Sequence, residues 1–366
     1  MPKALYLAGA LQRRFDSALL RVGSVESRLL RPRLRPVRID RPVYVTGMAR
    51  TGTTITLEML SRHRDVASHC YRDMAMPFLP FVWNRLLDRL PLPREQLRPR
   101  LHQDRILITK ESPEAVEEMI WLKFFPALHD EERSAVLDAN VRNPEFERYY
   151  RDHIGKLLLA RRRHRYLTKA NYNATRLAYL ASVFPDALFV VMVRDPLAHY
   201  ASWLKQDELF ERTQATDQRW TMALRALGHD EFGPGRRFIN TGSAELVRQI
   251  RTAWDADDRA RAFGLYWNSI YGHVLDTMQR DPVVARAVLL VPYEDLCAQP
   301  GEWIDRLLQH TGLAADGFAS VRTEYVERLS LPSYYRATLE DRERRQLLAT
   351  TAAVRVRLDA ACDRVD

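Results

Sequence analysis

A glycine-rich stretch near the start of the chain carries residues that could hold a phosphate. Residues 47–54 read GMARTGTT and keep the glycines and final hydroxyl of the pattern G-x-x-x-x-G-K-[ST], but Thr53 replaces its lysine. Backbone N–H groups of such a loop and of the following helix hold a phosphate whatever the side chains are. The lysine bridges the β- and γ-phosphates of a triphosphate, so a ligand without a γ-phosphate does not need it. Arg50 brings a cation into the loop instead.

A second stretch could hold another phosphate. In MVRDPLAHYAS (192–202), Arg194 ends a predicted strand and Ser202 lies eight residues later, in the second turn of a predicted helix. An arginine supplies a forked charge and a serine a neutral donor, a pair that suits a phosphate. In the alternative interpretation, Arg194 and Asp195 only cap a strand and Pro196 only opens a helix.

Strands that alternate with helices must position these two stretches. Four strands are predicted, at PVYVTG, RYLTKANYN (165–173), ALFVVMVRDP (187–196) and AVLLVPYEDL. Helical spacing follows in TLEMLSRH and RLAYLASVF. This order predicts a three-layer α/β fold with a central parallel sheet, in which ligands bind beyond the carboxyl ends of the strands.

The rest of the chain is predicted to surround that sheet. Residues 1–40 resemble a basic helical arm, and residues 41–366 form a single domain. Segments 74–164 and 205–280 are mostly helical by pattern, and we expect them to be insertions that cover the carboxyl edge of the sheet.

Composition narrows the class of protein. The 366 residues are 46% hydrophobic, as in a globular protein. The formal charge of +9 fits an anionic ligand, although an arginine-rich composition gives the same excess without a partner. Three distant cysteines fit neither a disulfide framework nor a metal site, and no apolar run is long enough to span a membrane. We therefore expect a cytoplasmic protein, for which peripheral membrane contact stays open.

Taken together, the two stretches resemble motifs of the sulfotransferases that use 3′-phosphoadenosine 5′-phosphosulfate (PAPS). VTGMARTGTT resembles their 5′-phosphosulfate loop, which usually has proline where this chain has Ala49, and VVMVRDPLAHYAS resembles their 3′-phosphate motif. TKANYNATRLAYLASVFPDALFVV and LLVPYEDLCAQPGEWIDRLLQHTGL extend the resemblance over about residues 43–313. DVASHCYRD and HQDRILITKESPEAVEEMIW look like a group of bacterial sulfotransferases of mostly unassigned substrate.

The resemblance implies a P-loop-like fold, PAPS as donor substrate and no metal. The acceptor would be a hydroxyl of a glycan, a glycolipid or a small metabolite, and nucleic acid is not an expected partner. The donor-binding residues that it implies are Ala49, Arg50, Thr51, Gly52, Thr53, Thr54, Arg194, Ser202 and Tyr293.

The reacting groups follow partly from the resemblance and partly from position. Arg50 and Lys169, the latter matching a lysine of the tyrosylprotein sulfotransferase group, would stabilise charge on the leaving phosphate and the sulfuryl oxygens. The acceptor hydroxyl needs a base, for which Asp73 is the first candidate and His102 the second. The carboxylates of PEAVEEM come next, and we expect Glu114 and Glu118 to share one face of a helix.

Two other classes of function remain as alternatives. A nucleotide-dependent kinase with a degenerate phosphate loop would need a metal-binding carboxylate, a role open to Asp195. A non-catalytic polyanion-binding protein would explain the positive charge alone, and its affinity would fall steeply with salt.

Overall fold

A computed structural model describes residues 17–91, 95–100, 106–217, 219–331 and 339–362. Its centre is a five-stranded sheet of order β2-β5-β1-β6-β7, in which every pair of neighbours is parallel. The strands of this sheet are β1 (Val43–Thr46), β2 (Val66–Ala67), β5 (Arg165–Lys169), β6 (Leu188–Val193) and β7 (Val288–Pro292). A short antiparallel hairpin joins β3 (Arg98–Pro99) to β4 (Leu107–Ile108).

Helices cover both faces of the sheet. They are α1 (17–29), α2 (Arg31–Leu34), α3 (Thr53–Ser61), α4 (Pro80–Leu87), α5 (Glu118–Phe124), α6 (Pro144–Arg161), α7 (Leu177–Val183), α8 (Pro196–Thr216), α9 (Arg219–Ala226), α10 (Ala244–Asp255), α11 (Arg259–Arg280), α12 (Pro282–Ala287), α13 (Tyr293–Ala298), α14 (Pro300–Thr311), α15 (Ala319–Arg328) and α16 (Asp341–Cys362). Tyr71–Ala75 and Asn171–Thr175 form 3₁₀ turns. The predicted three-layer α/β fold is confirmed, with all four predicted strands in place.

Alternation along the strands separates two apolar cores. Tyr44, Phe189 and Val191 belong to the larger cluster, and Val43 and Val190 belong to the smaller one. Successive side chains of a strand point to opposite faces, so a strand buried on both faces reads as one continuous apolar run. This explains why LFVVMV is a central strand with no polar residue.

The strand register brings the chemistry-bearing residues to one edge. Val45 pairs with Lys169 in β5 and with Val190 in β6, so β1, β5 and β6 end close together. The carboxyl ends of parallel strands meet at one edge of a sheet. At that edge the glycine loop follows β1, Lys169 ends β5 and Arg194 follows β6.

One local prediction is wrong. Glu114 does not share a helical face with Glu118, because α5 begins only at Glu118 and residues 114–116 are not helical. There the Glu114 N–H donates to the His69 carbonyl at 2.9 Å, and Pro113 bridges to Cys70. These long-range contacts outweigh the helical spacing, and Glu114 and Glu118 are each buried in different surroundings.

The described part of the predicted N-terminal arm packs against the domain. Helix α1 lies along α6, where Lys156 Nζ donates to the Gly23 carbonyl and pairs with Glu26, both at 2.9 Å. The domain boundary at residue 40 stays a prediction. Within the described residues, no helix is both long and apolar enough to cross a membrane.

Candidate active site

The glycine loop leaves β1 and opens onto the N-terminus of α3. Gly52 caps that helix at φ 94°, and Arg50 also has a positive φ of 78°. A Cβ atom added to Gly52 would lie 2.5 Å from Cδ2 of Tyr293, so only glycine lets the loop approach that ring this closely. Thr53 and Thr54 follow as the first two residues of α3. The first backbone N–H groups of a helix have no partner within it and can bind an anion.

Internal hydrogen bonds hold the loop in shape. Thr51 Oγ1 donates to the Met48 carbonyl at 2.8 Å, and His199 Nε2 donates to the Ala49 carbonyl at 2.8 Å. Burial, together with the charges of Arg194 and Arg50, lowers the pKa of His199 to about 3. The ring is therefore neutral at pH 7 and acts as a donor, which suits an inward-facing carbonyl.

Residues from three separate stretches meet beside this loop. Arg50 Nε lies 3.4 Å from Ser202 Oγ, and Arg194 Nη1 donates to the Arg50 carbonyl at 2.9 Å. The Arg194 guanidinium lies over the Tyr293 ring, 5.1 Å from its centroid. Glu294 also lies near Arg194, with Oε1 3.9 Å from Nε. The structure thus brings the predicted donor-binding residues Arg50, Arg194, Ser202 and Tyr293 together.

A second cluster of charges surrounds the end of β5. Burial and the nearby cations Arg100 and Arg50 lower the pKa of Lys169, and the carboxylates of Glu114 and Glu231 partly offset them. Arg100 Nη1 lies 3.9 Å from Glu114 Oε2 and donates to Thr54 Oγ1 at 3.4 Å. This charge cluster is therefore continuous with the N-terminus of α3.

Glu114 is the carboxylate of this cluster that lies beside Arg100. Burial alone would raise its pKa, but the charges of Lys169 and Arg100 outweigh burial and lower it. Glu114 is therefore ionised at neutral pH, although it is only 7% exposed. An ionised carboxylate beside two cations can accept a proton from an incoming hydroxyl.

Asp73 lies in different surroundings. Its carboxylate accepts hydrogen bonds from the Cys70 N–H, Asn84 Nδ2 and Arg161 Nη2, each at 2.8 Å. Burial would raise its pKa, but the His69 ring, 3.4 Å away, and Arg161 outweigh burial and hold the pKa well below its usual range. The base role of Asp73 stays a prediction, and these contacts give Asp73 a structural role as the anion of a buried network.

Of the other proposed bases, the structure describes Glu117 and Glu118 but not His102. His102 lies outside the described residues. Glu117 is buried among the hydroxyls of Tyr166, Tyr150 and Thr168, and Glu118 forms a paired salt bridge with Arg176. Both carboxylates are thus used by the core.

Metal binding has no visible basis in the described residues. No group of three or more His, Cys, Asp or Glu side chains in that part of the chain could hold an ion. Asp195, the carboxylate that a kinase would need, instead caps α8, because its Oδ1 accepts hydrogen bonds from the N–H groups of Leu197 and Ala198.

Sequence reasoning missed Arg100 and Glu231 as parts of the charge cluster. Arg100 follows β3 in a short hairpin, and Glu231 lies between α9 and α10, where Asn171 Nδ2 donates to it at 2.9 Å. Neither residue belongs to a motif, so no sequence signal was available to find them.

Comparison with known proteins identifies a family and a fold. A profile described as "Sulfotransferase family" matches residues 42–239, more than half of the chain. Sulfotransferase STF9 from Mycobacterium avium superposes with a TM-score of 0.51 and 15% identity over 92% of this chain and 79% of that one. Sulfotransferase STF1 from Mycobacterium tuberculosis H37Rv gives 0.47 and 17%, over 93% and 86%. No curated protein sequence matches the chain.

The likeness to STF9 shows the fold alone at so low an identity, so the family rests on the profile. The matched range includes the glycine loop, Lys169, Arg194 and Ser202. On this evidence, the chain belongs to the sulfotransferase family.

Proposed function

We propose that this protein transfers a sulfuryl group from PAPS to a hydroxyl of an acceptor molecule. The observation that carries the proposal is the meeting of Arg50, Arg194 and Ser202 beside the glycine loop, since they come from stretches up to 152 residues apart. Two phosphate-binding elements within one site fit a nucleotide with phosphates at two positions.

Each half of the donor has a matching set of groups in this proposal. The backbone N–H groups of residues 51–54 hold the 5′-phosphosulfate at the N-terminus of α3. Arg194 and Ser202 hold the 3′-phosphate, the arginine as a forked cation and the serine as a donor. The Tyr293 ring contacts both Gly52 and Arg194, so it lies between the groups that hold the 5′-phosphosulfate and those that hold the 3′-phosphate.

Arg50 and Lys169 act on the charge that develops during transfer. The acceptor oxygen bonds to sulfur while the bond from sulfur to the bridging phosphate oxygen breaks, and that oxygen keeps the electron pair. Sulfuryl transfer should be loose, like phosphoryl transfer, so catalysis consists of alignment and charge stabilisation. The two cations near the end of β5 supply the stabilisation.

Glu114 is the base that the geometry supports best. It takes the acceptor proton as the new bond to sulfur forms. Its low pKa in the free protein comes from Lys169 and Arg100, and a bound anionic donor shares those cations. Donor binding should therefore raise the pKa of Glu114 and make it a stronger base when it is needed.

The acceptor is a hydroxyl on a glycan, a glycolipid or a small metabolite, and we place the reaction in the cytoplasm. Transfer to amines only, in extracts supplied with labelled donor, would contradict the acceptor class. Transfer to hydroxyl-bearing products would support it.

A thermal-shift comparison tests the donor. 3′-Phosphoadenosine 5′-phosphate should raise the melting temperature without metal, and by more than adenosine 5′-monophosphate or ATP, because ligand-linked stabilisation reports which phosphates are bound. Equal or larger stabilisation by magnesium-ATP would contradict the proposal and favour a kinase. Stabilisation by every polyanion, lost with salt, would favour a polyanion-binding protein.

A further inference from the structure

One face of the molecule is both apolar and rich in arginine. Half of the large apolar side chains that are exposed in the described residues lie on α1, on α4 and in the turn after α4. They are Val22, Val25, Leu29, Val82, Leu86 and Leu90. Scattered exposed apolar side chains need no explanation, but a contiguous group does.

The two helices present this group side by side. Glu26 Oε1 accepts a hydrogen bond from the Val82 N–H at 2.7 Å, so α1 lies against the N-terminus of α4. At 100° per residue, Val22 and Leu29 lie on the side of α1 next to Glu26. Val82 and Leu86 occupy one outward side of α4 because they are four residues apart. We call the six exposed side chains the aliphatic ridge: Val22, Val25, Leu29, Val82, Leu86 and Leu90.

Positive charge surrounds the aliphatic ridge. Residues 17–38 contain six arginines and a single acidic residue, Glu26, which is buried and paired with Lys156. On α1 itself, Arg21 and Arg28 are exposed beside the apolar stripe. A helix with this arrangement lies flat at a lipid surface, with its apolar side inserted and its cations near the headgroups.

A cleft beside α4 provides a place for a headgroup. Its volume is about 500 Å³, and five arginines line it: Arg72, Arg85, Arg89, Arg161 and Arg162. Arg72 pairs with Asp88 and Glu111, and Arg161 pairs with Asp73. Within the described residues, the other three arginines form no ion pair, so the cleft keeps a net positive charge that suits a lipid phosphate.

We propose that the aliphatic ridge and the arginine-lined cleft dock this protein onto an anionic lipid bilayer. A second copy of the chain fits less well, because a symmetric dimer would press one arginine-rich face against another. The ridge also lacks the aromatic side chains that are enriched in protein interfaces, since it consists of valine and leucine alone. The inference is independent of the proposed reaction.

Docking here would bring the bilayer close to the reaction site. Arg72 lines the cleft, and its neighbour Tyr71 lies beside Glu114 and Arg100, whose charges act on its hydroxyl. A lipid-borne acceptor would thus approach the charge cluster from the docked side.

Vesicle flotation of the full chain tests the proposal. Vesicles of phosphatidylcholine alone should bind weakly, vesicles that also contain phosphatidylglycerol should bind tightly, and salt should weaken that binding. Two triple variants remove the two parts of the surface: Val22→Ser, Val25→Ser and Leu29→Ser in one, and Arg85→Gln, Arg89→Gln and Arg162→Gln in the other. Each should weaken binding to the anionic vesicles about tenfold or more.

Matched controls make the same substitutions at exposed residues elsewhere in the molecule. One control carries Met222→Ser, Val283→Ser and Val356→Ser, and the other carries Arg64→Gln, Arg133→Gln and Arg212→Gln. Both should bind anionic vesicles as the unchanged protein does. If the aliphatic triple variant melts early, the single variant Leu29→Ser, at a site 78% exposed, replaces it.

Three results would overturn the proposal. They are equal binding to both lipid compositions, equal losses in the test and control variants, and a concentration-dependent dimer that the aliphatic variant abolishes while vesicles are not bound. The last result would assign the ridge to an interface between two copies of the chain.

Discussion

Glu114 and Asp73 are buried residues that both form a hydrogen bond with the backbone of residues 69–70, yet the groups around their carboxylates differ. The Glu114 N–H donates to the His69 carbonyl, and the Glu114 carboxylate lies in the charge cluster with Lys169. The Asp73 carboxylate instead accepts hydrogen bonds from Arg161 and the Cys70 N–H. Both have lowered pKa values, so ionisation alone does not distinguish a base from a structural anion. What distinguishes them is position, because only Glu114 lies beside the cations that we propose to act on the sulfuryl group.

Replacing Glu114 with Gln should abolish the base while keeping the shape of the side chain. We expect turnover to fall about 10²- to 10⁴-fold, the usual contribution of a positioned general base. The dissociation constant of 3′-phosphoadenosine 5′-phosphate should change little. Steady-state turnover and calorimetric binding measure the two effects separately.

Asp73→Asn is the matched comparison. It removes one buried charge opposite Arg161, so we expect a lower melting temperature and near-normal turnover per folded molecule. If Asp73→Asn folds, binds the bisphosphate and is inactive while Glu114→Gln is active, the base is Asp73. If both variants are active, His102 is the next residue to replace.

Arg194 should distinguish nucleotides by their 3′-phosphate. Arg194→Ala should weaken 3′-phosphoadenosine 5′-phosphate by roughly 1.5 to 3 kcal/mol, the range for a hydrogen bond to a charged group, and barely affect adenosine 5′-monophosphate. Arg212→Ala, an exposed arginine on the same helix as Ser202, controls for loss of charge. Equal losses for both nucleotides would refute the assignment of the 3′-phosphate to Arg194.

At the scale of elements, His129 bridges a carboxylate of α5 and a carboxylate of the segment between α9 and α10. His129 Nε2 lies 2.9 Å from Glu118 Oε1, and its Nδ1 lies 3.4 Å from Asp230 Oδ2. Burial lowers the pKa of His129, but Asp230 and Glu118 outweigh burial and raise it to about 9. Because Glu231 is next in the chain, this contact also positions one carboxylate of the charge cluster.

A raised histidine pKa makes stability depend on pH in a definite direction. The charged form is favoured in the folded state, so the stabilisation is complete below pH 6.5 and is lost as pH rises through about 9. His129→Gln should therefore destabilise the protein most near pH 6 and least near pH 10, as measured by urea unfolding at about those values.

His273→Gln is the control for this pH dependence. Burial lowers the pKa of His273 to about 4, so that ring is neutral throughout the same window. The free energy difference between His273→Gln and the unchanged protein should be nearly constant from about pH 8 to about pH 10, and below that it should shift in the direction opposite to that of His129→Gln, because His273 gains a proton only on unfolding. A shift for His129→Gln in the same direction as for His273→Gln, or no shift at all, would show that folding does not raise the pKa of His129.

At the scale of the molecule, the core extends well beyond the range that the family profile matches. Helix α16 packs on α11, where Asn268 Nδ2 donates to the Thr350 carbonyl at 2.6 Å, and on α8, where Tyr200 donates to Glu343 at 3.2 Å. Leu347 is fully buried in the larger core. Because α8 carries Ser202, the last helix supports the candidate active site from behind.

Leu347→Ala should therefore destabilise the whole molecule. We expect a loss of about 2 to 5 kcal/mol in the free energy of unfolding, the range for a buried leucine. Val356→Ala, on the exposed side of the same helix, should cost at most about 0.5 kcal/mol. Urea unfolding at pH 7 measures both, and equal small losses would mean that α16 is not part of the cooperative unit.

Local sequence determined the strands, the glycine loop and the places of Arg194 and Ser202 after β6. Each depends on residues close in the chain: a continuous apolar run for β6, two glycines before a helix, and an eight-residue spacing after a strand. The parallel fold that these elements imply then places them at one edge of the sheet, so the meeting of the two phosphate motifs was predictable.

Only the tertiary structure decided which carboxylate lies beside Lys169 and Arg100. Glu114 lies beside Lys169 and Arg100 because its segment pairs with residues 69–70 instead of forming a helix, and Asp73 is enclosed because Arg161 reaches it from the end of α6. These contacts join residues tens of positions apart, and burial and charge then set each pKa. Spacing along the chain carries no record of such distances, so the proposal of Glu114 as the base depends on the fold.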